Sequence, residues 1–312
     1  MKGPLFYSKI LLFGEYGIIK DSKGLSIPYN FYNGALKVDE NPTEEAIKSN
    51  LNLRKFVVYL EQLQNDQSDL VTFNLDVLKA DIERGMYFDS SIPQGYGVGS
   101  SGALVAAIYD KYAHNKITVL ENLTREKLLQ LKTIFAQMES FFHGKSSGLD
   151  PLNSYLSIPI LINSKDNIEA TGIPTQSTSG KGAVFLLDSG IVGETAPMVN
   201  IFMENLKDQG FRTMLKNQFV KYTDACVENF LGGDLKSLFS NTKKLSKVVL
   251  SNFKPMIPEQ FHSIWQKGID TNDYYLKLCG SGGGGYILGF TEDLEKAKLS
   301  LKDYKLEVVY QF

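Results

Sequence analysis

The chain has 312 residues, with 33 Lys and Arg against 35 Asp and Glu, for a net charge of -2. That length fits two domains or one large one, and the charge balance excludes a global field for nucleic acid or a membrane surface. Two cysteines, Cys226 and Cys279, and three histidines argue against a disulfide framework or a zinc site and predict buried, reduced thiols.

Four short apolar runs open the chain: Leu5–Phe13, Gly17–Ile19, Leu25–Phe31 and Ala35–Val38. They predict strands in an antiparallel meander. Lys9 and Glu15 interrupt the first apolar region, so it does not read as a secretory leader, and a cytoplasmic protein is expected. Asn41-Pro42-Thr43-Glu44-Glu45 marks a helix start with Thr43 as cap, and helical spacing continues to about Gln64. A short element spans Asp69–Arg84, then a strand Met86–Ile92. A glycine-rich loop leads into a helix that runs through Ala113. Thr124–Phe142 is amphipathic, with Leu128, Leu131, Ile134, Phe135 and Met138 on one stripe. Polar residues His143–Asp150 follow, then an apolar run Tyr155–Ile162 that predicts a strand. The polar stretch Thr171–Gly182 is the best domain boundary.

In the second half, Val184–Val192 predicts a strand. Helical pattern fills 197–267, broken at Gly232-Gly233, Pro255 and Pro258. Two strands, Tyr274–Cys279 and Tyr286–Phe290, flank the glycine turn Gly280–Gly285. A helix Asp293–Lys302 and a strand Tyr304–Tyr310 finish the chain. Strand, helices, hairpin, helix, strand is the order of a ferredoxin-like domain. No run approaches the length of a membrane span.

The loop Pro93-Gln-Gly-Tyr-Gly-Val-Gly-Ser-Ser-Gly-Ala103 carries the strongest chemical signal. Gly95, Gly97 and Gly99 let the backbone approach a ligand, and Ser100 and Ser101 open a helix whose first N–H groups lack internal partners. That combination is an anion site, most often for phosphate. It is not a Walker loop, because Ser100 stands where the lysine belongs. Gly144-Lys145-Ser146 fails the same pattern, with Glu139 five residues before Gly144. Gly97, Gly99 and Gly102 fit a dinucleotide spacing only weakly.

Other residues leave two readings open. The glycines of 280–285 serve either a nearby phosphate or tight packing. Glu139 at a helix end and Asp150 after a flexible run are either metal-holding and catalytic carboxylates or a solvated helix end and a loop cap. Lys9 reads best as facing solvent, since burial would demand an acidic partner. His143 reads best as a structural histidine.

Three segments resemble the three motifs of the GHMP kinases: Lys9-Ile-Leu-Leu-Phe-Gly-Glu15, Pro93–Ala103 and Lys277–Gly285. The resemblance implies an α+β, two-domain GHMP kinase fold. Its N-terminal ribosomal-protein-S5-like α/β domain would span 1–180, and its C-terminal ferredoxin-like domain 181–312. Glu139 and His143-Gly-Lys-Ser-Ser-Gly-Leu-Asp150 are most similar to the mevalonate kinase branch, which carries a glutamate and then H-G-x-P-S-G-x-D. This implies ATP and Mg²⁺ as cofactors, a small alcohol such as mevalonate as substrate, and no nucleic-acid or membrane partner. A homodimer is compatible with it. Asp150 would be the catalytic carboxylate near the C5 hydroxyl, with Lys9 lowering that hydroxyl's pKa. Ser101 and Glu139 would hold Mg²⁺. Pro93, Gly95, Gly97, Val98, Gly99, Ser100, Ser101 and Gly102 would wrap the ATP phosphates. Glu15, Tyr16, His143, Ser147, Thr195, Gly282 and Gly283 would line the substrate site. Four departures from the family pattern stand out: Ser146 replaces its proline, Gly102 its alanine, Tyr16 the histidine of G-E-H, and Pro151-Leu-Asn-Ser-Tyr-Leu156 lacks its usual glycine pair.

Overall fold

The computed structural model describes residues 4–39, 41–118, 123–177 and 179–312. The opening apolar runs form two strands, not four: β1 (Phe6–Phe13) and one long β2 (Gly24–Val38). The strand expected over Gly17–Ile19 is instead part of a 3-10 turn, Gly17–Lys20. Gly14 and Tyr16 lead into it with φ of +117° and +58°, and a backbone turned that way cannot continue a ladder.

Side-chain caps set the next helices. Thr43 accepts the Ala46 N–H to start α1 (Glu44–Asp66), as expected, and Asn74 accepts that of Val77 to start α2 (Leu75–Glu83). After β3 (Met86–Ser90), α3 (Ser100–Tyr112) opens directly on Gly99, at φ +83°. Thr124 caps α4 (Arg125–His143), whose apolar stripe is buried as the spacing predicts. The strand expected over Tyr155–Ile162 divides between α5 (Leu149–Leu156) and β4 (Ile160–Ser164). Ser157, at φ +50°, ends the helix. A further strand, β5 (Asn167–Ala170), pairs back on β4. β1, β2, β4 and β5 are consecutive in one sheet, with β3 on β2. Leu25 of β2 lies opposite Leu161, and Leu36 opposite Phe88, both in antiparallel register.

β6 (Ala183–Asp188) begins the second series. The long helical pattern resolves into α6 (Thr195–Asn205), α7 (Gln209–Met214), a π-helical turn Leu215–Val220, α8 (Lys221–Leu231), α9 (Leu235–Asn252) and α10 (His262–Thr271). The expected breaks at Gly232-Gly233 and at the prolines are present. One more break falls at Leu206–Asp208, where Asp208 caps α7. β7 (Tyr275–Leu278), β8 (Tyr286–Thr291), α11 (Leu294–Ser300) and β9 (Leu306–Gln311) complete the chain. The sheet order is β7-β8-β6-β9, and every pair in it is antiparallel. Every side chain of β6 from Ala183 to Leu187 is buried, so both faces of the strand are covered and it reads Ala-Val-Phe-Leu-Leu without alternation.

Two compact units emerge. One holds the chain up to Lys9, Pro28–Pro93 and Gly99–Ile158; the other holds Ile10–Ile27, Gln94–Val98 and Pro159–Phe312. The first has a core around Phe56, Leu60, Ile108, Phe135 and Leu152, the second one around Phe185, Phe230, Phe253, Trp265 and Leu276. Among the described residues no helix is long and apolar enough to cross a membrane.

Candidate active site

In the first unit, Lys9 does not face solvent. Its side chain is 4% exposed, and Nζ lies 2.8 Å from Oδ1 of Asp150, whose side chain is 38% exposed. A buried ammonium requires such a partner. Asp150 stands in the first turn of α5, where the backbone dipoles favour a carboxylate. The opening of α3 is seated against both members of the pair. A Cβ on Gly99 would lie 3.1 Å from Lys9 Cγ, and one on Gly102 only 2.7 Å from the backbone of Asp150 and Pro151. Gly102 therefore marks a close crossing of α3 and α5, and alanine does not fit there without a shift.

Beside this pair, Ser101 Oγ donates to Glu139 Oε1 at 2.8 Å and lies 3.0 Å from His143 Nε2. Ser146 Oγ donates to Glu139 Oε2 at 2.5 Å. Glu139 is buried in the last turns of α4, so it is not a solvated helix end. Burial, reinforced by the charge of Asp150, pushes its pKa up to about 7, against the opposing pull of the two serines and Lys9. Burial also lowers the pKa of His143, while Asp150 raises it. Ser147 is exposed, and its hydroxyl accepts the Leu149 N–H at 3.4 Å at the start of α5. Pro93 is half-buried and Ser100 half-buried in the first turn of α3.

The second unit gathers the remaining predicted residues. Gly95 and Gly97 have φ of +75° and +78°. The carbonyl of Gly95 accepts the Gly193 N–H at 3.0 Å, and a Cβ on Gly97 would lie 2.5 Å from the Cys279 carbonyl. Val98 between these neighbours is buried. Gly282 and Gly283 have φ of +77° and +79°, and the Gly283 N–H donates to the Met256 carbonyl at 2.7 Å. Tight packing is thus present in both glycine segments. Tyr16 donates its hydroxyl to the Ser281 carbonyl at 2.7 Å, and its ring lies against Phe202 with centroids 4.6 Å apart. Burial, with the charge of Glu15, raises its pKa. Ser281 Oγ lies 3.4 Å from Thr195 Oγ1. Glu15 pairs with Lys277 at 2.6 Å, both side chains 5% exposed.

Two of these participants have no role in the sequence reading. Lys277 is the lone charge in the apolar run Tyr274–Cys279, the same signal that marked Lys9. Ser146 figures there only in a failed Walker spacing and as a departure from the family's proline, and its partner Glu139 lies on α4. Glu139 and Ser101 fit magnesium. Among the described residues no cluster of three or more His, Cys, Asp or Glu forms a metal cage. One hydroxyl and one carboxylate are instead the sparse protein share of a magnesium ion whose other ligands are phosphate and water.

Residues 60–157 match the family of the GHMP kinases N terminal domain. The fold is that of a GHMP kinase. The matched stretch contains Ser101, Glu139 and Asp150. Mevalonate kinase from L. major, solved with R-mevalonate, is 20% identical with a TM-score of 0.61, over 96% of this chain and 91% of that one. Streptococcus pneumoniae phosphomevalonate kinase, solved with phosphomevalonate and AMPPNP, is 12% identical with a TM-score of 0.60, over 98% and 99%. Lactococcus lactis galactokinase, solved with galactose, is 11% identical with a TM-score of 0.60, over 98% and 92%. A search of curated proteins returned no match.

Proposed function

We propose that the chain is an ATP-dependent kinase that transfers the γ-phosphoryl group to an alcohol, with the C5 hydroxyl of mevalonate as acceptor. The observation that carries this reading is the Lys9–Asp150 pair, sealed at the ammonium and open at the carboxylate. An open carboxylate can accept a proton from a bound hydroxyl. The adjacent ammonium offsets negative charge as the alkoxide develops. Phosphoryl transfer asks mainly for positioning and charge neutralisation, and this pair offers both.

In this reading Ser101 and Glu139 hold Mg²⁺, which when bound neutralises phosphate charge. The segment Pro93–Gly102 wraps the phosphates, with the α3 N-terminus favouring the anion. Glu15, Tyr16, His143, Ser147, Thr195, Gly282 and Gly283 are assigned to the substrate side. The division into domains 1–180 and 181–312 belongs to the same proposal. The acceptor rests on the segment His143–Asp150 and on likeness to a mevalonate kinase. Phosphomevalonate and galactose, named with two structural neighbours, are the competing acceptors.

A coupled assay of ADP release against mevalonate, phosphomevalonate and galactose tests the assignment. Mevalonate-dependent turnover is expected. Turnover on another acceptor alone moves the substrate, and ATP binding without turnover on any acceptor removes the kinase reading.

A further inference from the structure

A glutamate carboxylate rotates about a soft terminal torsion, so one hydrogen bond does not fix its plane. Glu139 has two: Ser101 Oγ donates to Oε1 at 2.8 Å and Ser146 Oγ to Oε2 at 2.5 Å. Ser146 has a second task. Its Oγ accepts the Gly148 N–H at 3.0 Å. Its single hydroxyl proton and one lone pair are thus both engaged, toward Glu139 on one side and toward the turn before α5 on the other.

That turn has little freedom. Gly148 has φ +73°, and a Cβ there would fall 2.1 Å from the Lys132 carbonyl of α4. Gly148 is pressed on α4, Leu149 begins α5, and Asp150 is the second residue of that helix. Ser146 therefore links the carboxylate of Glu139 to the backbone that aims Asp150. A proline at this position, as in the resembling motif, has no hydroxyl with which to make either bond.

We propose that Ser146 is a positioning residue that orients Glu139 toward a metal-bound nucleotide and couples that carboxylate to the start of α5. This rests on the reading of Glu139 as metal-holding. Its measure is binding, not turnover: free Mn²⁺ followed by electron paramagnetic resonance during titration of the full chain with AMPPNP. Loss of one hydrogen bond to a carboxylate predicts roughly tenfold weaker Mn²⁺·AMPPNP binding in Ser146→Ala. Ser146→Thr, which keeps the hydroxyl, returns affinity to within about twofold, and Ser146→Pro matches the alanine variant. Wild-type affinity in Ser146→Ala, or in Ser146→Pro, overturns the proposal. Glu139→Gln separates the two levels. If it loses Mn²⁺ affinity while Ser146→Ala does not, only the role of Ser146 fails. If it keeps full affinity, the metal reading of Glu139 fails, and the role of Ser146 with it.

Discussion

The two compact units each bury a lysine against a carboxylate, and the two pairs differ in one respect. Lys9 and Asp150 are 2.8 Å apart, with side-chain exposures of 4% and 38%. Lys277 and Glu15 are 2.6 Å apart, and both are 5% exposed. Charge pairing alone does not separate them. An exposed oxygen can meet a substrate proton; an enclosed one is committed to its neighbours. Lys277 also donates to the Leu278 carbonyl at 2.8 Å, which ties it further into the end of its own strand. The open pair is suited to chemistry, and the closed pair to holding the first motif against the strand that leads into the third.

Asp150→Asn breaks the comparison most sharply. It removes the basic oxygen from the open pair and nearly preserves its shape. A fall in kcat of about 10²–10⁴-fold is expected, the usual contribution of a general base. The buried Lys9 ammonium also loses its countercharge, so the thermal unfolding midpoint should fall as well, by less than for a fully enclosed pair because water reaches the carboxylate end. The coupled ADP assay and a melting curve read the two halves separately, and full activity in the variant would remove Asp150 from its role.

The closed pair should show the larger loss of stability. Lys277→Met leaves Glu15 buried without its ammonium, and breaking a buried pair costs about 3–5 kcal/mol. Adding Glu15→Leu removes the stranded charge, so most of that loss is recovered in the double variant. Urea unfolding of the single and double variants measures this. Stability equal to wild type in Lys277→Met would show that the closed pair is not a structural tie.

How far these pairs were legible differs by residue. Lys9 stood out as a charge inside an apolar strand, yet strand alternation placed it in solvent. The missed clue is that Ile10-Leu11-Leu12-Phe13 is apolar on both faces, so the strand has no wet face to offer. The element order of the second half followed from pattern, and the three motifs from resemblance to a family. α5 did not, although Pro151 is tolerated in a first helical turn and Gly148 just precedes it. Its eight residues were too few to show a period beside the apolar run that continues into β4. Contacts such as Ser146 with Glu139 depend on how a loop folds back on a helix, and no local pattern encodes that.

Glu139 tests whether charge in the open pair reaches a neighbour. Burial, then the charge of Asp150, raises its pKa from 4.5 to about 7. The folded protein keeps this proton where the unfolded chain has released it. The stability that results is fully present below the unfolded value and is lost as pH rises through about 7. The unfolding midpoint should therefore fall between pH 5 and pH 8, with a contribution on the order of 1–3 kcal/mol from this group. Glu139→Gln should remove that part of the slope, and Asp150→Asn should reduce it, because burial remains while the neighbouring charge is gone. Identical slopes in all three proteins would mean that Glu139 titrates like an exposed carboxylate.

The smallest effect supplies the other limit of the comparison. Lys298 and Glu295 of α11 are 2.8 Å apart, as close as Lys9 and Asp150, with side-chain exposures of 50% and 81%. Water screens both charges, and ordering two long side chains offsets much of what remains of the attraction. Their spacing of three residues along a helix adds only a few tenths of a kcal/mol. Lys298→Ala should change stability by less than about 0.5 kcal/mol and leave ADP release unchanged. A loss comparable to that of Lys277→Met would mean that distance, not enclosure, governs these pairs. Without such a loss, enclosure and not distance separates the closed pair from the surface pair, and the pair proposed for catalysis lies between them in exposure.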